Sequence, residues 1–311
     1  MFGNLRRPTR PRVTVLQLLQ TLLRLLHGRK VLRVLTRATS VGLHLVTGRG
    51  RLTSLRLAAF RNVADSPSLE PPLAVAVCHV YYPSLFNEML SACRRAPWVN
   101  RVLVTCPYEH QATLLGLLHT ESVEASDLLV RVTPVMNFGR DVVPFLGLLH
   151  HPWLREADLV LKIHTKRSPH LPIGKGEYWR TSLLQGLAPV DGRRRLGLQR
   201  VLCQAAASRH PKVLWPIRWA YSIESWGANR AIPLQIEPRI SPAVTLPLLF
   251  PAGTMFWCNQ PFLGELRTSL ASATQSWPLG EDTTLDGGMV HAVERFIGVL
   301  ASRKRAITVT W

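Results

Sequence analysis

The chain has 311 residues, 47% of them hydrophobic and 18% charged, with a formal net charge of +19. That length and apolar content support a sizeable buried core and exclude a disordered chain. The charge excess is uneven: residues 1–64 carry thirteen Lys and Arg and no Asp or Glu, leaving 25 cations against 19 acids in the remainder.

The basic segment 1–64 is read as an amphipathic helical extension. Val13–Leu26 is leucine-rich and is followed by Arg29, Lys30, Arg33 and Arg37. No apolar stretch there is long enough to span a bilayer. Such a helix suits the surface of an anionic membrane, or packs on the main domain or a partner. The membrane reading predicts a cytoplasmic protein held peripherally on the inner face of the plasma membrane. No small-residue cleavage pattern follows the apolar run, which argues against a cleaved leader. Aromatics barely interleave with the arginines, so no specific nucleic-acid partner is expected.

Asp65–Pro72 is rich in proline and serine and marks a linker, so the main domain is expected over residues 73–311. Apolar runs predict strands at 73–80, 102–106, 128–136 and 159–163, with helical patterns at 84–95, 110–118 and 142–150. Pro134 confines the third run to a short or edge strand. Strands alternating with helices predict an α/β fold with a mainly parallel sheet flanked by helices. The stretch from Trp215 to Pro251 is loose and rich in Gly, Pro and Trp, and Phe250–Trp257 resumes a strand. A last helix is expected over about 287–300, with Asp286 as its N-cap and Met289, Val293, Phe296 and Leu300 as its buried stripe. Cys78, Cys93, Cys106, Cys203 and Cys258 have no metal-ligand spacing and are read as reduced thiols.

Two segments crowd polar groups where strands should end, the usual place for function in an α/β chain. In the first, Asn137–Asp141, Gly139 lets the backbone approach a ligand, Arg140 is placed to reach a phosphate, and Asp141 either caps the next helix or meets a sugar. In the second, Lys162, His164 and Lys166 alternate with apolar residues and share one strand face, with Arg167 beside them. Their mutual repulsion would be relieved by an anion, and the diphosphate of an activated donor fits. On the last helix, Glu294 borders the apolar stripe and His291 is its i,i+3 neighbour. Partial desolvation would raise Glu294 towards general-base range, with Asp286 as its competitor; the alternative is a surface Glu294 paired with His291 or Arg295. Tryptophans, Trp257 and Trp179 among them, are either core or flat faces for sugar rings. No Asp-x-Asp stands at a strand end, so no metal ligand is assigned and leaving-group charge is expected to be met by the cations.

Five ordered segments, His79–Tyr82, Asn137–Asp141, Lys162–Lys166, Phe250–Trp257 and Asp286–Arg295, resemble the rhamnan synthesis protein F family of bacterial polysaccharide biosynthesis. The resemblance implies a GT-A-like (Rossmann-like) core and a glycosyltransferase-type activity on cell-wall polymers or lipopolysaccharide O-chains. It further implies a nucleotide-sugar donor such as dTDP-L-rhamnose and a lipid-linked glycan acceptor, with inversion if L-rhamnose passes from a β-linked donor into an α-linkage; with no Asp-x-Asp, no cofactor beyond the donor is expected. It brings His79, Tyr81 and Trp257 forward as substrate contacts. Phe138 departs from the family pattern, where a basic residue is expected. A different class also fits: a non-catalytic carbohydrate-binding or scaffold subunit of an assembly complex.

Overall fold

In the computed structural model, the described residues are 43–46, 52–57, 70–120, 128–168, 172–216, 220–222, 249–270, 288–304 and 306–310. They fall within one compact unit formed by residues 42–58 and 64–311. In chain order the elements are β1 (Leu43–Val46), β2 (Leu52–Leu57), β3 (Ala74–His79), α1 (Phe86–Arg95), β4 (Val99–Pro107), α2 (Gln111–Thr120) and β5 (Leu129–Val135). There follow α3 (Val142–Leu148), α4 (Pro152–Glu156), β6 (Leu159–His164), α5 (Lys175–Leu187), α6 (Gly192–Ala206), β7 (Val213–Pro216) and β8 (Ala220–Ser222). The last are β9 (Leu249–Pro251), β10 (Phe256–Asn259), α7 (Gln260–Leu270), α8 (Met289–Arg303) and β11 (Ile307–Thr310).

Among the described residues the main sheet has the order β1-β2-β11-β7-β10-β6-β3-β4-β5, with β8 and β9 forming a separate pair. The four strands expected from the apolar runs lie together and parallel, β6-β3-β4-β5. The fold is α/β with a mainly parallel sheet flanked by helices. Two strands depart from that rule: β10 runs antiparallel to both β6 and β7, and β1 runs antiparallel to β2.

β3 and β6 are buried along their whole length, which is why they read as continuous apolar runs. Ala74, Ala76 and Cys78, with Leu159, Leu161 and Ile163, share one core with Phe86, Met89 and Leu90 of α1, Leu183 and Leu187 of α5, and Leu198 and Leu202 of α6. The alternate positions face the other way, where Lys162 lies 5.5 Å from the Phe145 ring of α3 and Phe145 meets Phe256 of β10 edge-on at 6.0 Å. β5 ends the sheet, so Pro134 costs it no ladder hydrogen bond on the open side.

Three elements differ from the expected layout. β1 and β2 fall inside the segment read as a helical extension, and β2 joins the sheet beside β11. In Ser54-Leu55-Arg56-Leu57 the leucines alternate with polar residues, a strand period that the arginine and leucine content obscured. The last helix begins at Met289 and extends to Arg303, with Val293, Phe296 and Leu300 buried as expected. The expected helix at Val13–Leu26, the linker residues 65–69 and Asp286 lie outside the described residues. All five cysteines are free thiols.

Candidate functional site

The chain builds β3, β4 and β5 outward in one direction and then returns to lay β6 against the other side of β3. Strand order therefore reverses between β3 and β6, and the carboxyl ends of strands at such a reversal are the usual place for a ligand in an open α/β sheet. His79 and His164, the last residues of those strands, are register partners at that point. Just beyond, Thr165 Oγ1 accepts hydrogen bonds from the Tyr81 and Tyr82 N–H groups at 2.9 and 3.1 Å, tying the two strand ends together. Both histidines are buried. The His79 ring Nδ1 lies 3.0 Å from Thr105 Oγ1 on β4. Burial pushes His79 down to about 4 and His164 down to about 3, so each ring is neutral at physiological pH.

Asp141 arrives from the β5–α3 loop. Gly139 has φ +65°, and a Cβ there would lie 2.0 Å from Val143 Cγ2, so only glycine fits this turn. Arg140 also adopts a left-handed conformation, φ 53°. The Asp141 side chain makes no capping bond to α3. Instead its Oδ2 accepts from Lys162 Nζ at 2.5 Å and from Thr254 Oγ1 at 2.5 Å. Lys162 Nζ also donates to the Thr254 carbonyl at 2.9 Å. His164 Nδ1 stands 3.3 Å from the same Asp141 oxygen but off the line of a hydrogen bond, and has no partner among the described residues. Burial alone would raise the Asp141 acid. The His164 ring, the Lys162 ammonium and the Thr254 hydroxyl outweigh it and hold Asp141 well below the usual carboxylate range.

Glu294 comes from α8 and accepts the Gly253 N–H on Oε1 at 2.5 Å. Desolvation raises its pKa despite that bond and despite the cations Lys166 and Arg295. Lys166 is half-buried, with its ammonium 4.1 Å from the centre of the Trp179 ring. Burial lowers its pKa, opposed by the negative charges of Glu294 and Asp141. Arg140 is exposed, and its Nη1 lies 3.3 Å from His291 Nε2 of α8. Arg167 is exposed, donates to Ser84 Oγ at 2.6 Å, and stacks 4.8 Å from the Tyr82 ring centre. Buried Arg180 of α5 donates to the Lys166 carbonyl and to Glu88, both at 2.9 Å, fixing the backbone that carries Lys166. α5 can lie this close because Gly176 has no Cβ: one would sit 2.0 Å from the Arg167 carbonyl oxygen.

The structure thus gathers Arg140, Asp141, Lys162, His164, Lys166, His291 and Glu294 around one end of the sheet. Asn137 and Tyr81 lie exposed at its rim. Two residues occupy places other than those expected of substrate contacts. Trp257 is fully buried, its Nε1 donating to the Leu187 carbonyl at 2.9 Å, and serves the core. His79 is buried and turned to Thr105. Lys162 was expected to meet an anion from outside; its charge is already matched by Asp141. The Asp141 cap and the Glu294–His291 pair are likewise not formed. Thr254 and Gly253 escaped the sequence reading as site residues, and Trp179, read as core or a sugar platform, instead carries the Lys166 ammonium on its ring. Gly253 and Thr254 lie within the Phe250–Trp257 segment, where the Ala-Gly-Thr tripeptide breaks a strand pattern and signals a turn.

The chain is 29% identical over 262 residues to the uncharacterized protein WxcX of Xanthomonas campestris pv. campestris strain B100 and 28% identical to WxcX of strain ATCC 33913, covering 81% of this chain in each case. It spans about a third of the length of these curated relatives, 34%. The family model described as rhamnan synthesis protein F matches residues 55–192, a segment that runs from β2 to the start of α6 and carries Asp141, Lys162, His164 and Lys166. That match is to the same family that the ordered motifs resemble.

Proposed function

We propose that the protein is a glycosyltransferase that moves a sugar, rhamnose in the first instance, from a nucleotide donor to a growing cell-surface polysaccharide or lipid-linked glycan. The observation that carries this reading is the divergence of two carboxylates at the switch point. Asp141 is locked in its ionised form by Lys162 and Thr254, whereas burial raises Glu294. Two acids pushed in opposite directions are what a site needs to run base chemistry and charge stabilisation side by side.

In this reading Glu294 takes the proton of the acceptor hydroxyl as that oxygen attacks the anomeric carbon and the bond to the diphosphate breaks, with inversion. Asp141 Oδ1 takes no hydrogen bond among the described residues and accepts a donor-sugar hydroxyl. Arg140, Lys166 and Arg167 carry the cationic charge nearest the rim and stabilise the departing diphosphate. Lys162 acts from behind, as counter-ion to Asp141. Because that carboxylate is balanced by an ammonium, the reaction is assigned no divalent ion and no cofactor beyond the donor. The basic, leucine-rich residues ahead of β1 would hold the enzyme on an anionic membrane at the cytoplasmic face; among the described residues no helix is long and apolar enough to cross one.

The test is incubation of the purified chain with a panel of nucleotide sugars, dTDP-L-rhamnose first, and a lipid-linked acceptor, following release of the nucleoside diphosphate with and without EDTA. Turnover that survives EDTA is expected. Absence of turnover with ligand binding intact would indicate a carbohydrate-binding subunit instead, and loss restored by Mn²⁺ would overturn the metal-independent assignment.

A further inference from the structure

Thr254 is a β-branched residue in the left-handed region, φ 49°, next to Gly253 at φ 89°. For a β-branched side chain this is a genuine outlier, and such outliers persist only where surrounding contacts over-determine them. The contacts here are unusual in their reach. The Gly253 N–H goes to Glu294 on α8. The Thr254 carbonyl receives Lys162 from β6, and its hydroxyl goes to Asp141 from the β5–α3 loop. A two-residue turn therefore bonds groups from three separate elements, and among the described residues it alone hydrogen-bonds both carboxylates of the site. The turn is stiff on its own account: Thr254 N–H donates to the Pro251 carbonyl at 2.8 Å, and Trp179 and Leu183 of α5 pack on Gly253, where a Cβ would stand 3.1 Å from Leu183 Cδ1. Thr254 is itself 4% exposed, so the conformation is not an accident of a surface loop.

We infer that Thr254 is a positioning residue, its hydroxyl aiming Asp141 while the left-handed turn it forms with Gly253 presents the Gly253 N–H to Glu294, so that the β9–β10 turn sets the relation between the two carboxylates. The claim deepens the proposed glycosyltransferase reading but is tested without substrate. A threonine rather than a glycine at this position is explained by the hydroxyl, which glycine would lack while adopting the backbone more easily.

The experiment follows the side-chain carboxyl carbons of Asp141 and Glu294 by NMR across a pH titration of the full chain. In Thr254→Gly the turn is retained and the hydroxyl lost: the Asp141 titration is expected to move up by a unit or more while Glu294 is unmoved. Thr254→Ser, which restores the hydroxyl, is expected to return Asp141 to its original position. In Gly253→Ala the Cβ clash and the positive φ displace the N–H, and Glu294 alone is expected to rise further. An unchanged Asp141 in Thr254→Gly, or an unchanged Glu294 in a folded Gly253→Ala, would overturn the inference. Should Gly253→Ala fail to fold, the glycine and serine variants at 254 decide it. Failure of the glycosyl-transfer assay with these titrations as expected would remove the proposed function and leave the positioning role standing.

Discussion

The Lys162 ammonium and the Asp141 carboxylate form an ion pair in which the side chains are 3% and 12% exposed, at the point where strand order reverses. A pair so placed is weak evidence for stability while intact, because desolvation offsets its attraction, but removing one partner strands the other charge. Lys162→Met is therefore expected to destabilise the fold by about 3–5 kcal/mol. Asp141→Asn in the same chain should recover a large part of that loss. Chemical denaturation of the two single variants and the double variant checks this, with a strongly non-additive cycle as the expected result.

Acid lability follows from the two neutral imidazoles. His79 and His164 have folded pKa values pushed down to about 4 and about 3 from the ordinary 6.5. Between those values the unfolded chain binds protons that the folded chain refuses, so stability is complete above pH 6.5 and falls as pH drops towards 3. Each histidine contributes a slope of up to about 1.4 kcal/mol per pH unit. Asp141 adds a loss below its unfolded pKa, because its folded pKa is depressed. Glu294 has the opposite sign: its raised pKa favours the fold in acid, a contribution lost as pH rises through that pKa. Urea unfolding at intervals from pH 7 to pH 4 should show a steady fall in stability, and His164→Gln should flatten it.

Much of this arrangement was legible in the chain. β3, β4 and β6 announced themselves as apolar runs because buried parallel strands need no polar face, whereas β5, at the sheet's end, alternates exposed and half-buried positions. Lys162 and His164 stood out because charge inside such a run is costly and needs a reason. What could not be read was partnership. Asp141 follows a glycine and precedes a helix, a pattern that capping explains equally well, and only tertiary contact with Lys162 and Thr254 separates the two. Trp257 looks like a sugar platform in sequence because a lone tryptophan carries no mark of the Leu187 carbonyl that it meets in the core. Thr254 was invisible for the same reason, since its importance lies in a backbone angle and in three elements distant along the chain.

If Glu294 is the base, its ionised form is the active one, and turnover must rise with pH through its raised pKa. The acid limb of the kcat/KM profile is thus expected above the range of an ordinary glutamate. Glu294→Gln keeps the shape and the acceptor for the Gly253 N–H but cannot take a proton. It should reduce turnover by about 10²–10⁴-fold, in the range of general-base contributions, while nucleotide affinity measured by calorimetry stays within a factor of about two. Undiminished turnover would remove Glu294 from the mechanism.

Lys166 separates binding from catalysis. Its ammonium rests on the Trp179 ring and feels both carboxylates, which hold it charged against the burial that lowers its pKa. A cation kept protonated beside the proposed leaving group matters most when diphosphate charge develops, so its loss should appear in kcat more than in donor affinity. Lys166→Gln is expected to lower kcat by about 10²–10³-fold, as for the loss of one preorganised donor at a developing charge. Arg140→Ala, at the exposed rim, should instead raise the donor KM, with an effect that shrinks as salt is added because exposed charges are screened. Steady-state kinetics of both variants at low and high ionic strength tests the division; equal effects of the two on KM alone would assign both residues to ground-state binding.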